Sequence, residues 1–408
     1  MKILLINKFF YVKGGAERVF FETARLLKEK GHELMFFSMA HPLNMPTPYS
    51  KYFVRNVDYE NMDLRGRLMA AINIIHSSEA ARKIARLIKD ERPDVAHLHN
   101  IYHQISPSIL YPLKRAGIPI VMSLHDHKMV CASYLMFNKG KVCQACKDER
   151  YYRCFLKKCV KDSRMKSLLA AVEMYTHHKI RNVYDKVDFF ISPSAYLKSK
   201  LTEMGFKGEV RYLPHFVDTI SCSPRFDREE DSIVYFGRLS PEKGLDTLLD
   251  SVKDVKGIVL KIIGTGPMQG KLEDRVKNEN LKNVRLLGYK GGSELNAEIK
   301  KSMAVVLPSE CCESFGLTVA EAFALGKPAI GSRIGGIAEL IEDGVTGWTF
   351  EPANVADLSD KILLMMSHAE KLSEMGKAAR DFVERKLSPE AHYNGLMDIY
   401  QKAMERHR

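Results

Sequence analysis

The feature that most constrains this chain is an alternation of short apolar runs with segments of helical period, which restarts once along the sequence. Lys2–Asn7 is an apolar run that closes on the loop Lys8–Gly15. Ala16–Lys30 then places Val19, Phe20, Ala24 and Leu27 on one helical face and stops at Gly31. The spacing predicts further strands at His32–Ser38, Asp94–Leu98, Ile118–Leu124, Phe189–Ser192 and Val210–Tyr212. After Leu213-Pro214 the pattern begins again, with strands expected at Ile233–Phe236, Gly257–Ile263, Val284–Leu287, Ala304–Leu307 and Pro328–Ile330. Strands that alternate with helices form parallel sheets covered by helices on both faces. A chain of 408 residues also exceeds one ordinary core. The expectation is therefore α/β, with two doubly wound domains. The first covers 1–213 and carries a Cys-rich insertion near 131–160; the second covers 214–388. The boundary lies near Pro214–Pro224, and 389–408 forms a helix that crosses back to the first domain.

Composition narrows the class. Hydrophobic content of 45% and charged content of 27% fit a soluble globular protein, and no stretch is apolar enough to span a bilayer. The N-terminus shows no h-region or cleavage site, so a cytoplasmic location is expected. The net charge of +12 is uneven: residues 1–210 carry roughly +15 and the rest roughly −3. Basic residues cluster in Arg65–Arg92 and Lys139–Lys166, near apolar residues at helical spacing such as Leu168, Leu169, Val172 and Met174. A solvated helix face accounts for this pattern. So does contact with an anionic membrane surface or acceptor, which would make the protein peripheral to the inner face of the cell membrane. No nucleic-acid recognition motif is present, and no nucleic-acid partner is expected.

Open α/β sheets bind ligands beyond the carboxyl ends of their strands. The first strand is followed by Lys13-Gly14-Gly15-Ala16-Glu17, where two glycines open a helix whose free N–H groups suit an anion. The first strand after the restart runs into Phe236-Gly237-Arg238-Leu239-Ser240-Pro241-Glu242-Lys243-Gly244. Arg238 and Lys243 there could grip a diphosphate, one as a fork and the other as a point charge. The next strand ends on Gly264-Thr265-Gly266-Pro267. The most informative segment is Pro308–Glu321. Glu313 and Glu321 are separated by seven residues in it, one at a strand end and one in the following helix, and the amides of Ser314, Phe315, Gly316 and Leu317 open that helix. His125-Asp126-His127 follows the strand Ile118–Leu124, whereas His97 and His99 read as strand or wall residues.

The strings GGAERV, FGRLSPEKG, GTGP, CESFGLTVAEAFALGKPAIGSRIGGIAELI and DGVTGWTF resemble glycosyltransferase family 4, from Lys2 to about Phe350. This is a retaining family with the GT-B fold, two Rossmann-like domains facing an interdomain cleft, and a Glu-x7-Glu motif. The resemblance implies that Glu313 contacts the donor sugar and Glu321 holds the ribose. It implies that Arg238 and Lys243 neutralise the diphosphate, that Gly14 and Gly15 line the phosphates, and that the base rests near Gly288-Tyr289. His125 matches a histidine close to the reacting sugar. The donor would be a UDP- or GDP-sugar. The acceptor would be a carbohydrate or a lipid-linked saccharide, in polysaccharide or glycolipid biosynthesis. Catalysis would need no cofactor or divalent metal, which agrees with the lack of an Asp-x-Asp motif. The alternatives are a GT-B relative with other sugar chemistry, such as a phosphorylase or epimerase, and a non-catalytic nucleotide-sugar-binding protein. Pro214-His215-Phe216-Val217-Asp218 departs from the family's usual Pro-Asn-Gly-Val-Asp.

Five of the eight cysteines fall in one stretch: Cys131, Cys143, Cys146, Cys154 and Cys159. Cys143-x-x-Cys146 followed by Cys154 and Cys159 has the spacing of thiolate ligation, and a structural zinc is expected there, with Cys131 as a competing ligand. Cys222, Cys311 and Cys312 read as small buried residues.

Overall fold

The computed structural model describes residues 1–56, 64–103, 105–220 and 222–407, with the side chains of 64, 65, 67 and 68 outside that set. The charges of Arg65 and Arg67 thus lie outside the described residues. The strands, in chain order, are β1 Lys2–Ile6, β2 Glu33–Phe37, β3 Val95–Leu98, β4 Ile120–Ser123, β5 Phe137–Asn138, β6 Lys141–Val142, β7 Phe189–Ser192 and β8 Val210–Tyr212. They continue as β9 Ser232–Phe236, β10 Val259–Ile263, β11 Val284–Leu286, β12 Ala304–Leu307, β13 Ala329–Ser332 and β14 Gly347–Phe350. The helices used below are α1 Gly15–Glu29, α2 Leu64–Ile75, α3 Tyr152–Lys157, α4 Arg164–Met174, α5 Leu245–Val252, α6 Gly292–Lys301, α7 Leu317–Ala324, α8 Val355–Ser367 and α9 Pro389–Glu405.

The chain divides into two compact units. One comprises Met1–Tyr134, Gln144–Leu213 and Tyr393–Arg408, and the other Leu135–Cys143 and Pro214–His392. The short segment Leu135–Cys143 groups with the second unit, where the sequence reading puts the whole 131–160 stretch in the first.

In the first unit six parallel strands run in the order β2-β1-β3-β4-β7-β8. Leu4 sits between Met35 and Ala96. Ile3, Leu4, Leu5 and Ile6 are fully buried, as a strand covered on both faces requires. Phe20 and Leu27 of α1 share one core with Leu396, Ile399 and Tyr400 of α9. Each such side chain contributes about 1.5–3 kcal/mol by leaving water.

In the second unit six parallel strands run in the order β11-β10-β9-β12-β13-β14. Side chains alternate across β9. Ile233 and Tyr235 join one core with Leu248 of α5 and Ile362 of α8. Val234 and Phe236 join another with Leu295 and Ile299 of α6.

Phe189–Ser192, Val210–Tyr212 and Ala304–Leu307 match the expected strands residue for residue, and the others shift by a residue or two at one or both ends. β13 starts at Ala329 because Pro328 has no N–H to give to the ladder. β2 starts at Glu33 because the His32 N–H closes the preceding helix on Leu27 O at 3.1 Å. β14 has no counterpart among the predicted strands: four residues behind a turn carry too little pattern to stand out.

Candidate active site

The order of an open parallel sheet reverses at one place, where the loops leaving two neighbouring strands part and leave a crevice. In the second sheet that place lies between β9 and β12. The loop after β9 carries Arg238 and Lys243, and the loop after β12 carries Glu313. The backbone stitches these loops together. Glu310 N–H donates to Glu242 O at 2.9 Å, and the Thr247 hydroxyl donates to Glu310 Oε1 at 2.7 Å. Gly244, at φ +67°, sits so close that a Cβ there would lie 1.9 Å from Pro308 O. No other residue fits that position.

This contact places Lys243 against Glu313. The ammonium and the carboxylate form an ion pair in which each side chain is about four-fifths buried. Ser309 Oγ donates to the same Glu313 Oε1 at 2.7 Å. Burial alone would lower the Lys243 pKa, but the Glu313 carboxylate outweighs it and holds the pKa above its ordinary value. Lys243 is therefore a fixed cation at any working pH. Behind Glu313, Gly336 N–H donates to Glu313 O at 2.9 Å. Gly335, at φ +60°, would place a Cβ 2.4 Å from the same oxygen. Ser309, Gly335 and Gly336 were not assigned from the sequence, although the two glycines lie in the quoted string ending IAELI.

The chain then enters α7. Phe315 is buried, Ser314 and Leu317 are half-buried, and Gly316 at the N-cap offers no side chain to the first amides. A helix N-terminus without a side-chain cap suits an anion. Glu321 is the fifth residue of α7 and is half-buried. Arg238 is exposed, and its carbonyl accepts from Tyr235 OH at 2.7 Å. Gly264 N–H donates to Gly288 O at 2.8 Å, which joins the turns after β10 and β11, and Tyr289 beyond them is 76% exposed. His215 of the unusual connecting string is buried, with its ring 5.2 Å from that of Phe315.

The first sheet reverses between β1 and β3. The buried Asn7 ties the loops there: its Oδ1 accepts from Asn100 N–H at 3.1 Å, while Lys8 N–H donates to Asn100 O at 2.8 Å. Gly14 and Gly15 are exposed at the start of α1, and Gly14 caps it without a side chain. Beyond β4, the His125 ring stacks on His99 at 5.1 Å, with His125 Nε2 and His99 Nδ1 2.8 Å apart. Burial pulls the His125 pKa down to about 4, so the ring is neutral at pH 7. His97 is structural, held by Tyr400 OH at 2.6 Å and Ser123 Oγ at 2.8 Å. The sequence reading grouped His99 with His97. The structure makes it the partner of His125, a pairing between neighbouring strands that one sequence does not display.

Cys146 and Cys154 share one small core of the first unit, with Cys159 packed against it, and Cys143 belongs to the second unit. Among the described residues, no three His, Cys, Asp or Glu side chains are placed to hold a metal ion. The Cys154 and Cys159 side chains interact, and Cys159 N–H donates to Cys154 O at 3.2 Å. Cys143 is anchored separately, its N–H donating to Met136 O at 2.7 Å. Cys311 and Cys312 are buried, whereas Cys222 is only partly so.

Residues 13–220 match the family described as Glycosyltransferase Family 4, and residues 217–382 match Glycosyl transferases group 1. The chain belongs to glycosyltransferase family 4. An uncharacterised glycosyltransferase of Methanocaldococcus jannaschii is 34% identical over 169 residues, which span 41% of this chain and about half (47%) of that protein. Sucrose-phosphate synthase from Thermosynechococcus elongatus shares the fold, with a TM-score of 0.76, 17% identity and 99% of each chain covered. Anabaena HepE, solved with UDP and glucose, gives a TM-score of 0.68 at 16% identity, over 98% of this chain and all of that one. The fold of this family 4 glycosyltransferase is GT-B. Among its described residues, no helix is long and apolar enough to cross a membrane.

Proposed function

We propose that the chain transfers a sugar from a nucleoside-diphosphate sugar to an acceptor hydroxyl, with retention at the anomeric carbon and no catalytic metal. The observation that carries this reading is the Lys243–Glu313–Ser309 cluster at the reversal point of the second sheet, beside the uncapped amides of α7. Breaking the bond between sugar and phosphate leaves negative charge on the diphosphate. Fixed cations and oriented amides lower that barrier without reorganising. Lys243 and Arg238 supply the cations, and Ser314–Leu317 supply the amides. Glu313, oriented by Ser309, accepts hydrogen bonds from the donor sugar's hydroxyls, and Glu321 accepts them from the ribose. His125 acts as a neutral hydrogen-bonding ring toward the reacting sugar. UDP is the favoured base carrier, since the Anabaena neighbour was solved with UDP, and GDP is the rival. The acceptor is a carbohydrate or a lipid-linked saccharide.

Calorimetric titration of UDP and GDP into the wild-type protein and a Glu321→Ala variant tests the reading. One nucleotide should bind, and the variant should bind it more weakly. Absence of binding by both nucleotides would reject the donor class, and unchanged affinity in the variant would reject the ribose assignment.

A further inference from the structure

The first unit contains a cavity of about 360 Å³, a size within the roughly 300–1,000 Å³ of small-molecule sites. Val187 and Asp188 line it where the chain leads into β7, and Phe206 and Glu209 where it leads into β8. It shares no residue with the loops that carry Arg238, Lys243 and Glu313, nor with the His99–His125 pair. We infer that this cavity is a binding site for a neutral saccharide, which it holds without reacting it.

The cavity walls hold polar atoms that the fold leaves unused. Helix α4 runs into a π-helical turn at Tyr175–Ile180, a rare conformation that recurs at functional sites. The turn carries His177 and His178. His177 Nε2 donates to Ile75 O, at the end of α2, at 2.9 Å. His178 Nε2 is buried and meets no hydrogen-bond partner among the described residues. Tyr184, 5% exposed, and Tyr151 at the start of α3, 3% exposed, also line the cavity. Neither phenol hydroxyl meets a hydrogen-bond partner among the described residues. Buried tyrosines and histidines ordinarily find one, so these three unspent groups around one cavity point to a ligand.

Charge and shape set the ligand class. Most ions here are spent on one another. The Asp188 carboxylate accepts from Ile120 N–H at 2.7 Å and pairs with His407 at 3.0 Å, while Arg406 pairs with Glu209 and donates to Asp188 O at 3.0 Å. The lining ions that remain, Glu149, Asp185 and Lys207, are acidic on balance, which disfavours a phosphate or a carboxylate. Burial keeps the unspent groups neutral: it pushes the His178 pKa down to about 3 and the Tyr151 and Tyr184 pKa values up. Phenols and a neutral imidazole both donate and accept, which suits the hydroxyls of a sugar. The rings give the apolar half of the site. His178 lies 4.7 Å from Tyr184 and 5.9 Å from Tyr151, and Phe206 is held edge-on to Phe190 at 4.9 Å. A saccharide, with C–H faces between its hydroxyls, matches a site of aromatic rings and a few convergent polar atoms.

Saturation-transfer NMR on the full chain tests this, with maltose, lactose and diacetylchitobiose as neutral probes, inorganic phosphate as the anion and spermidine as the cation. At least one neutral probe should bind, and it should slow hydrogen exchange over Tyr175–Lys186 and Met204–Glu209. A Tyr151→Phe, Tyr184→Phe double variant removes only the two hydroxyls. It should bind that sugar about tenfold more weakly, with the melting temperature unchanged. Asp185→Ala, at an exposed position, should weaken binding several-fold. The sugar assay needs no nucleotide, so its outcome stands apart from the donor-site proposal. No binding by any neutral probe leaves the cavity to water and overturns the inference. So does a preference for phosphate or spermidine. Sugar binding that is lost in Glu313→Gln but kept in the double variant belongs to the donor site and likewise overturns it. A melting temperature several degrees lower in the double variant would show that the fold already uses the hydroxyls, which also overturns it.

Discussion

Lys243 and Glu313 stand 70 positions apart in sequence and form one ion pair, because Gly244 lets the loop after β9 close onto Pro308. A diphosphate and the Glu313 carboxylate compete for the same ammonium. Glu313→Gln should therefore tighten nucleoside-diphosphate binding several-fold while cutting turnover by about 10²–10³, the loss typical of one transition-state contact. Lys243→Ala should weaken diphosphate binding and turnover together and lower the melting temperature, since it leaves a largely buried carboxylate without its cation. Calorimetry with UDP, run beside initial rates, separates the two variants. Equal nucleotide affinity in both would sink the idea of a shared ammonium.

The closeness of Gly244 to Pro308 has its own consequence. An added methyl at Gly244→Ala meets a backbone oxygen at 1.9 Å in a left-handed conformation, so the loop must move. The shift carries Lys243 off Glu313. Thermal melting should show destabilisation, and turnover should fall by at least about tenfold, as misplacement of a catalytic group does. Gly270→Ala, in a helix where the new Cβ meets nothing within 4 Å, is the control and should leave both measurements near wild-type. A wild-type rate in Gly244→Ala would show that the close approach is not needed.

The legibility of this chain was uneven for physical reasons. Buried parallel strands such as β1, β9 and β12 are continuous apolar runs, and they announce themselves. The loops that follow β9 and β12 hold Arg238, Lys243 and Glu313, and the rule about strand ends points to those loops. Contacts between distant segments were not visible. Ser309 and Gly335 act through a hydrogen bond or a close approach to Glu313, and neither residue type is distinctive in a loop. His99 resembled His97 in sequence, yet it pairs with His125 through the register of β3 beside β4. The cysteine spacing points to a ligand set, and Cys146, Cys154 and Cys159 do gather at one small core.

Histidines withdrawn from water should lower stability on the acid side. Burial lowers the pKa of His125 and His392 to about 4 and that of His178 to about 3, against an ordinary value of 6.5. Below pH 6.5 the unfolded chain takes up protons that the folded chain refuses, so stability falls as pH drops toward about 4 and is fully present above about 6.5. Asp126, raised by burial, works in the opposite direction as a single group. The melting temperature should be flat above about pH 7 and several degrees lower at pH 5, at roughly 2–4 °C per kcal/mol lost for domains of this size. His125→Gln should flatten part of that slope. Equal melting temperatures at pH 7.5 and pH 5 would contradict the assignment.

The last prediction concerns Cys154 and Cys159. Cys154 is 1% exposed and belongs to a small core with Cys146, Tyr151 and Met174, against which Cys159 packs. The contact between the Cys154 and Cys159 side chains raises the Cys154 pKa. It stabilises the Cys159 thiolate and lowers the Cys159 pKa against the opposing effect of burial, with Lys157 adding to the lowering. A lowered thiol on a partly exposed residue is the reactive member of a pair. Iodoacetamide at neutral pH should therefore label Cys159 well before Cys154, as peptide mapping by mass spectrometry would show. Cys154→Ala removes that contact and should move the pH profile of Cys159 labelling upward. Zinc ligation is the rival arrangement. It would silence both thiols and leave about one metal ion per chain in untagged protein, bound through side chains turned from their present directions. Elemental analysis on the same sample decides between the two. Stoichiometric zinc with unreactive cysteines would overturn the thiol pair, whereas a metal-free protein in which Cys159 reacts first is the expected result.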